Sequence, residues 1–173
     1  GIGTVLADDP QMTVRLEGAE QQPLRVIADS RWRTPVNSRI LNQPGRVIIA
    51  GSQRHDPSAG LRAAGAQLLA LPEVDGKLDL RALLTSLANE QVNELQVEAG
   101  EKLCGALLKL ELVDEVLLYQ APVILGEGGP GLFAGLGVHS MQQRIRLQLI
   151  ESCFVGEDQR LRFRPLRQSS EQH

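Results

Sequence analysis

Apolar residues gather in short unbroken runs through the first half of the chain and alternate with polar ones near its end, and the two patterns call for different kinds of strand. Residues 24–28 (LRVIA) and 46–50 (RVIIA) are runs of strand length, the first stopping at Asp29-Ser30 and the second at Gly51-Ser52. A run with no polar alternate position is covered on both faces, so both are expected to be parallel strands whose C-terminal ends carry function. Residues 67–71, just before Pro72, make a third run. Residues 79–89 (DLRALLTSLAN) repeat leucine and alanine at helical spacing behind an aspartate suited to cap the helix. The clearest strand-to-helix unit comes next: a strand over 94–98 (ELQVE), a turn at Ala99-Gly100, and a helix over 101–110 (EKLCGALLKL) with Leu103, Leu107 and Leu110 on one face.

Residues 115–125 (EVLLYQAPVIL) read as a strand that bends or lies at an edge, since Pro122 has no N–H to give a ladder. A glycine-rich stretch, 126–137, follows. Beyond it Arg144, Arg146 and Gln148 alternate with Ile145, Leu147 and Leu149. Arg160, Arg162 and Arg164 alternate with Leu161 and Phe163 after a turn at Gly156-Glu157-Asp158. These are half-exposed antiparallel strands. The expected fold class is α/β: a three-layer α/β/α arrangement around a mixed, mainly parallel sheet with terminal antiparallel strands. One domain is expected over residues 1–167, with residues 168–173 a frayed polar tail.

Composition narrows the function. A net charge of −3 with 23% charged residues supplies no basic stripe for a nucleic acid and no polybasic arm for a membrane, which leaves small molecules as the expected partners. Cys104 and Cys153 lack CxxC spacing, and His55, His139 and His173 are scattered, so the pattern points to no metal site, disulfide framework or catalytic triad. The chain shows no charged-then-apolar leader and no apolar run approaching the ~18 residues that span a bilayer. A cytoplasmic protein with reduced thiols is expected, and the antiparallel tail offers a sheet edge suited to a homodimer.

Three clusters carry candidate chemistry. At Val97-Glu98-Ala99-Gly100 a strand turns into a helix, where unpaired first-turn N–H groups and the positive dipole end suit an anion; a ligand-free turn fits the same residues. Ser30 and Arg31 follow the first strand and could hold a 2′-phosphate, though by themselves these residues favour a helix cap beside a solvated arginine. Thr4, Asp8 and Arg15 would bring a hydroxyl, a carboxylate and a guanidinium to one loop, and Asp9-Pro10 is a turn signature more conformational than chemical. Stretch 126–137 lacks the Lys-Ser/Thr of a phosphate-binding loop and reads as a lid or connector. Trp32 suits either a place beside an adenine or partial burial at the sheet edge.

Taken in order, GIGTVLADDPQMTVR, RVIADSRWRTP, VEAGEKLCGALL and LVDEVLLYQAPVILGEGGPG closely resemble the reductase domain of the bifunctional riboflavin-biosynthesis deaminase/reductases, from Gly1 to about Arg164. The resemblance implies a dihydrofolate-reductase-like fold, NADPH as cofactor, and reduction of 5-amino-6-(ribosylamino)uracil 5′-phosphate to the ribitylamino compound. Carried over by position, it implies NADPH contacts at Thr4, Asp8 and Ser30 and at the helix start Gly100, Glu101, Lys102, Leu103, Cys104, Gly105 and Ala106, to which the residue reading above adds Arg31. Met12, Arg15 and Glu98 would meet the substrate, a ribosylamino-pyrimidine phosphate, and Asp8 and Glu98 are the catalytic candidates. Many family members have glycine where Ala99 stands. The family's domain also starts earlier, with a Lys-x-Ala-x-Ser-x-Asp-Gly strand and a helix, after a zinc-dependent deaminase domain. The resemblance therefore implies a truncated portion of a longer polypeptide, with poor binding or no turnover expected of it on its own. Two other readings stay open: a reductase of the same fold acting on another pyrimidine or pterin, and a non-catalytic nucleotide-binding module.

Overall fold

The computed structural model describes residues 1–18, 21–126 and 128–166. The chain divides into two compact units, Gly1–Gly100 and Glu101–His173.

The first unit opens with helix α1 (Ile2–Asp8) and centres on three parallel strands, β1 (Arg25–Ala28), β2 (Val47–Ser52) and β3 (Gln67–Leu71), in the order β1-β2-β3. Every residue of β2 is buried, as a central parallel strand requires. Ile27 pairs with Ile49 and Ile49 with Leu68, and these side chains join Val5, Trp32, Ile40, Leu61 and Ala66 in one apolar cluster. Each such side chain contributes roughly 1.5–3 kcal/mol by leaving water. The short helix α2 (Ala59–Ala63) gives Leu61 to this cluster. A two-residue ribbon, β4 (Glu73–Val74) with β5 (Lys77–Leu78), leads into helix α3 (Leu80–Asn89). As its sequence suggested, Asp79 caps α3, its Oδ1 accepting the N–H groups of Arg81 (2.9 Å) and Ala82 (3.1 Å). Leu80, Leu83 and Leu87 form its buried stripe.

The strand expected over 94–98 is absent. Those residues are exposed and pair with no ladder, and a strand exists only where a neighbouring edge takes its N–H and C=O groups. Alternation of Leu95 and Val97 with polar residues sets a face and cannot supply that edge.

The second unit contains helix α4 (Glu101–Lys109) and three antiparallel strands, β6 (Val116–Gln120), β7 (Leu147–Val155) and β8 (Asp158–Pro165), in the order β6-β8-β7. The hairpin between β7 and β8 turns on Gly156-Glu157. Gly156 has φ 64, which suits the first position of a primed turn. A register irregularity falls between Leu149 and Glu151. Two expectations need correction here. Strand β6 stops at Gln120, five residues short, and Ile124 beyond Pro122 is 98% exposed. On α4 the buried residues are Gly105, Leu107 and Leu108, while Leu110 is exposed and beyond the helix. What docks on a helix selects its buried face, and here the backbone of Ala134 lies so close to Gly105 that a Cβ would collide with it. The expected frayed tail, 168–173, lies outside the described residues.

Candidate functional site

The N-terminal cluster expected in a loop is helical through Asp8. Thr4 and Asp8 are four residues apart on α1 and so share a face, while Val5 anchors the helix in the core. The helix ends at Asp9 in the left-handed region (φ 42), and Asp9 Oδ1 accepts the Arg39 N–H at 2.7 Å. Asp9 is thus conformational, as its place before Pro10 implied, and Asp8 remains exposed.

After the turn, Met12 is half-buried against the core cluster. The Gln22 side chain grips the backbone of Val14 at both ends: its Oε1 accepts the Val14 N–H (3.0 Å) and its Nε2 donates to Val14 O (3.2 Å). Buried Arg25 holds the neighbouring chain through carbonyls, donating to Pro44 O (2.7 Å), Gln43 O (3.0 Å), Gly45 O (3.1 Å) and Gln11 O (3.5 Å). Its burial lowers the guanidinium pKa from the ordinary arginine value. Arg15 follows Val14 directly, is exposed, and forms no ion pair among the described residues.

Ser30 and Arg31 sit at the C-terminal end of β1. Asp29, which precedes them, is 0% exposed, and its Oδ2 accepts both the N–H (2.7 Å) and the Oγ1 hydroxyl (2.8 Å) of Thr34. Ser52, at the end of β2, donates its N–H to Ser30 O at 3.1 Å. Ser30 is half-buried and Arg31 exposed. The helix cap considered for this turn does not form, because no helix follows it. Trp32 is more deeply buried than its sequence suggested, at 7% exposure. The core cluster brings Val5 of α1, Met12, Ile27 and Trp32 together.

Glu98 stands apart from that cluster. It is exposed on the extended stretch before α4, with Gln96 Nε2 donating to its Oε1 at 2.8 Å. Ala99 is half-buried, and around Gly100 a Cβ would meet nothing within 4 Å.

In the second unit the first turn of α4 is bound to the glycine-rich stretch. Gly131 N–H donates to Glu101 Oε2 (3.0 Å) and Ala134 N–H to Glu101 O (2.9 Å). The close packing at Gly105 serves this seating. Lys102 is exposed, and Leu103, Cys104 and Ala106 are half-buried. A cleft of about 290 Å³ opens at the other end of α4, among Leu108, Lys109, Val113, Leu136, Ile145 and Leu166. It contains none of the residues expected from the sequence to meet cofactor or substrate.

The model of the RibD C-terminal domain family matches residues 1–161 of this chain. The chain belongs to that family. A 2,5-diamino-6-ribosylamino-4(3H)-pyrimidinone 5′-phosphate reductase of Archaeoglobus fulgidus is 36% identical over 167 residues, 91% of this chain and 74% of the archaeal protein. The riboflavin biosynthesis protein RibD of Escherichia coli is 37% identical over 171 residues, 90% of this chain and 45% of the bacterial one. The chain thus spans about half the length of the RibD relatives it matches. Among solved structures, Acinetobacter baumannii RibD superposes with a TM-score of 0.83 at 32% identity, covering 96% of this chain and 46% of that one. The fold is the α/β, dihydrofolate-reductase-like fold of RibD reductase domains, with both parallel and antiparallel strands.

Membership of the RibD C-terminal family implies a nicotinamide cofactor. In the first unit the hydroxyls of Thr4 and Ser30 and the exposed guanidinium of Arg31 are donors of the kind that suit an anionic dinucleotide, and in the second unit Lys102 presents an exposed ammonium. No group of metal-ligating side chains occurs among the described residues, and none of their helices is long and apolar enough to cross a membrane. Sequence reasoning missed the supports of these candidate residues in each unit. The grip of Gln22 on Val14, the closure of the turn by Asp29 and Thr34, and the anchoring of the glycine-rich stretch by Glu101 join residues five to thirty positions apart. The residue types alone carry no signal for these pairings.

Proposed function

We propose that this chain is the reductase part of a riboflavin-biosynthesis enzyme, reducing 5-amino-6-(5-phosphoribosylamino)uracil to 5-amino-6-(5-phosphoribitylamino)uracil with NADPH. The observation that carries the reading is the family match over residues 1–161, joined to similarity with a dedicated archaeal reductase along 74% of its length. In this reading residues 1–167 act as one reductase domain, in the cytoplasm, as a homodimer and downstream of a deaminase domain.

NADPH would supply a hydride to ribose C1′ of the opened, protonated imine. The protein's task is to hold that cation and its phosphate. Asp8 and Glu98 are carboxylates without an ion-pair partner among the described residues, so their charge is available to stabilise a cationic imine and to manage its proton. Arg15, likewise unpaired, would clasp the substrate phosphate bidentately and set C1′ in register, with Met12 packing nearby and Gln22 steadying the backbone before it. Thr4, Asp8, Ser30 and Arg31 in the first unit would contact the cofactor. In the second unit, taken by itself, the first turn of α4 is of the kind that suits a diphosphate, with Lys102 adding a positive charge and Gly105 and Ala106 completing the helix behind it.

The near-equal likeness to the archaeal protein, whose name gives a substrate that still carries its 2-amino group, favours a second reading in which that pyrimidinone is reduced instead. Following NADPH oxidation with each compound separates the two, and oxidation with neither removes both. Asp8→Asn is expected to lower kcat by roughly a hundredfold or more, the scale of a lost general acid or base. Arg15→Ala is expected to raise KM for the phosphorylated substrate. An unchanged KM would remove the phosphate role.

A further inference from the structure

The turn after β1 is held more firmly than a surface turn needs, and Trp32 holds it. Its backbone lies in the left-handed region (φ 56), which a bulky L-residue adopts only when its surroundings over-determine it. Here they do. The indole Nε1–H is shared between His55 O (2.8 Å) and Ser52 O (3.1 Å), and the ring packs on Gly51, where any Cβ would fall within the contact distance of the indole carbons. Asp29 closes the same turn from the other side through Thr34, and the Ser52 N–H fixes Ser30 O. Burial leaves the indole no open face for an adenine, so the ring is a strut. What it braces is the Ser30-Arg31 pair.

We propose that Trp32 is a specificity-determining positioning residue, which presets Ser30 and Arg31 to receive the 2′-phosphate that distinguishes NADPH from NADH. This rests on the reading of Ser30 and Arg31 as cofactor residues given above. A turn already ordered loses little conformational freedom when the phosphate arrives, and the gain falls only on the cofactor that bears one. Arginine's planar fork suits a phosphate, but its long side chain profits from a fixed root.

Trp32 is the single tryptophan of the chain, so its emission reports on this turn alone. In the full chain, 2′,5′-ADP is expected to change that emission and to bind about tenfold more tightly than 5′-ADP, roughly the worth of one charge-assisted contact. If the wild-type protein does not tell the two apart, the assignment of Ser30 and Arg31 is wrong and the proposal falls with it. Trp32→Phe keeps an aromatic ring in the slot and removes the N–H. By calorimetry it is expected to erase most of the preference for 2′,5′-ADP, with 5′-ADP affinity changing less than about twofold. A folded Trp32→Phe protein that keeps the wild-type preference overturns the proposal while leaving the cofactor assignment standing. Thr34→Val, which loosens the same turn and leaves the indole in place, is expected to lose part of the preference and serves equally if the Phe variant does not fold. A purely structural strut would lower Tm in both variants without moving the ratio.

Discussion

All six residues of β2 are buried, whereas no residue of β6, β7 or β8 is, although each unit has a three-stranded sheet. The parallel ladder is held by apolar burial on both sides of Ile48 and Ile49. The antiparallel ladder carries a row of charges across its strands: Arg162 meets Glu151 at 3.1 Å and Glu115 at 3.4 Å, Arg164 meets Glu115 at 3.6 Å, and Arg160 pairs with Glu151. The contrast shows where each ladder's specificity comes from. Parallel strands are joined through distant crossovers and need a core to bring them together. A hairpin sets its own register through the turn and can leave its faces wet.

Core truncation should separate the two most. Ile49→Ala, at 0% exposure, is expected to cost about 2–5 kcal/mol, while Phe154→Ala, at 77% exposure, should stay within about 0.5 kcal/mol. Urea midpoints measure both, and similar losses at the two sites would erase the contrast. Next in size, Gly105→Ala should cost about 1–3 kcal/mol by forcing Ala134 off α4, whereas Gly100→Ala, with open space around it, should be nearly neutral. A neutral Gly105→Ala would mean that the glycine-rich stretch is not seated where it is described.

The smallest effect should come from acid. Arg160 and then Arg162 hold the Glu151 carboxyl below the ordinary glutamate value of 4.5, and Arg46 does the same for Glu90 in the first unit. A carboxyl whose native pKa is lowered contributes stability that is present above 4.5 and is lost as pH falls through the native value. Urea unfolding followed from pH 6 to about pH 3 should show this loss, and added salt should shrink it because the groups face water. Glu151→Gln should flatten part of the acid limb, and an unaltered limb would discount the charge row as a source of stability.

Much of this was legible beforehand. The runs at 24–28, 46–50 and 67–71, the Asp79 cap and the alternation in the tail all correspond to elements found, since each depends on nearest neighbours and on side-chain period. The stretch 94–98 has a strand's alternation without a strand's partner, and Leu110 has a helical spacing but lies exposed beyond the end of α4. The site shows the same division. Thr4, Asp8, Arg15 and Ser30 could be named from their residue types and from family likeness. The helix that aligns Thr4 with Asp8, the grip of Gln22 and the strut of Trp32 could not.

Residue order specifies period, capping and turn chemistry, because these act within a few positions of chain, and it carries enough likeness to name the family. Which edge accepts a strand, which side of α4 is covered and what pins the Ser30-Arg31 turn depend on groups far apart in the chain, such as Asp29 with Thr34, Trp32 with His55 and Glu101 with Gly131. Such contacts form only once folding has met the entropy of closing the intervening loops, and no local pattern encodes them.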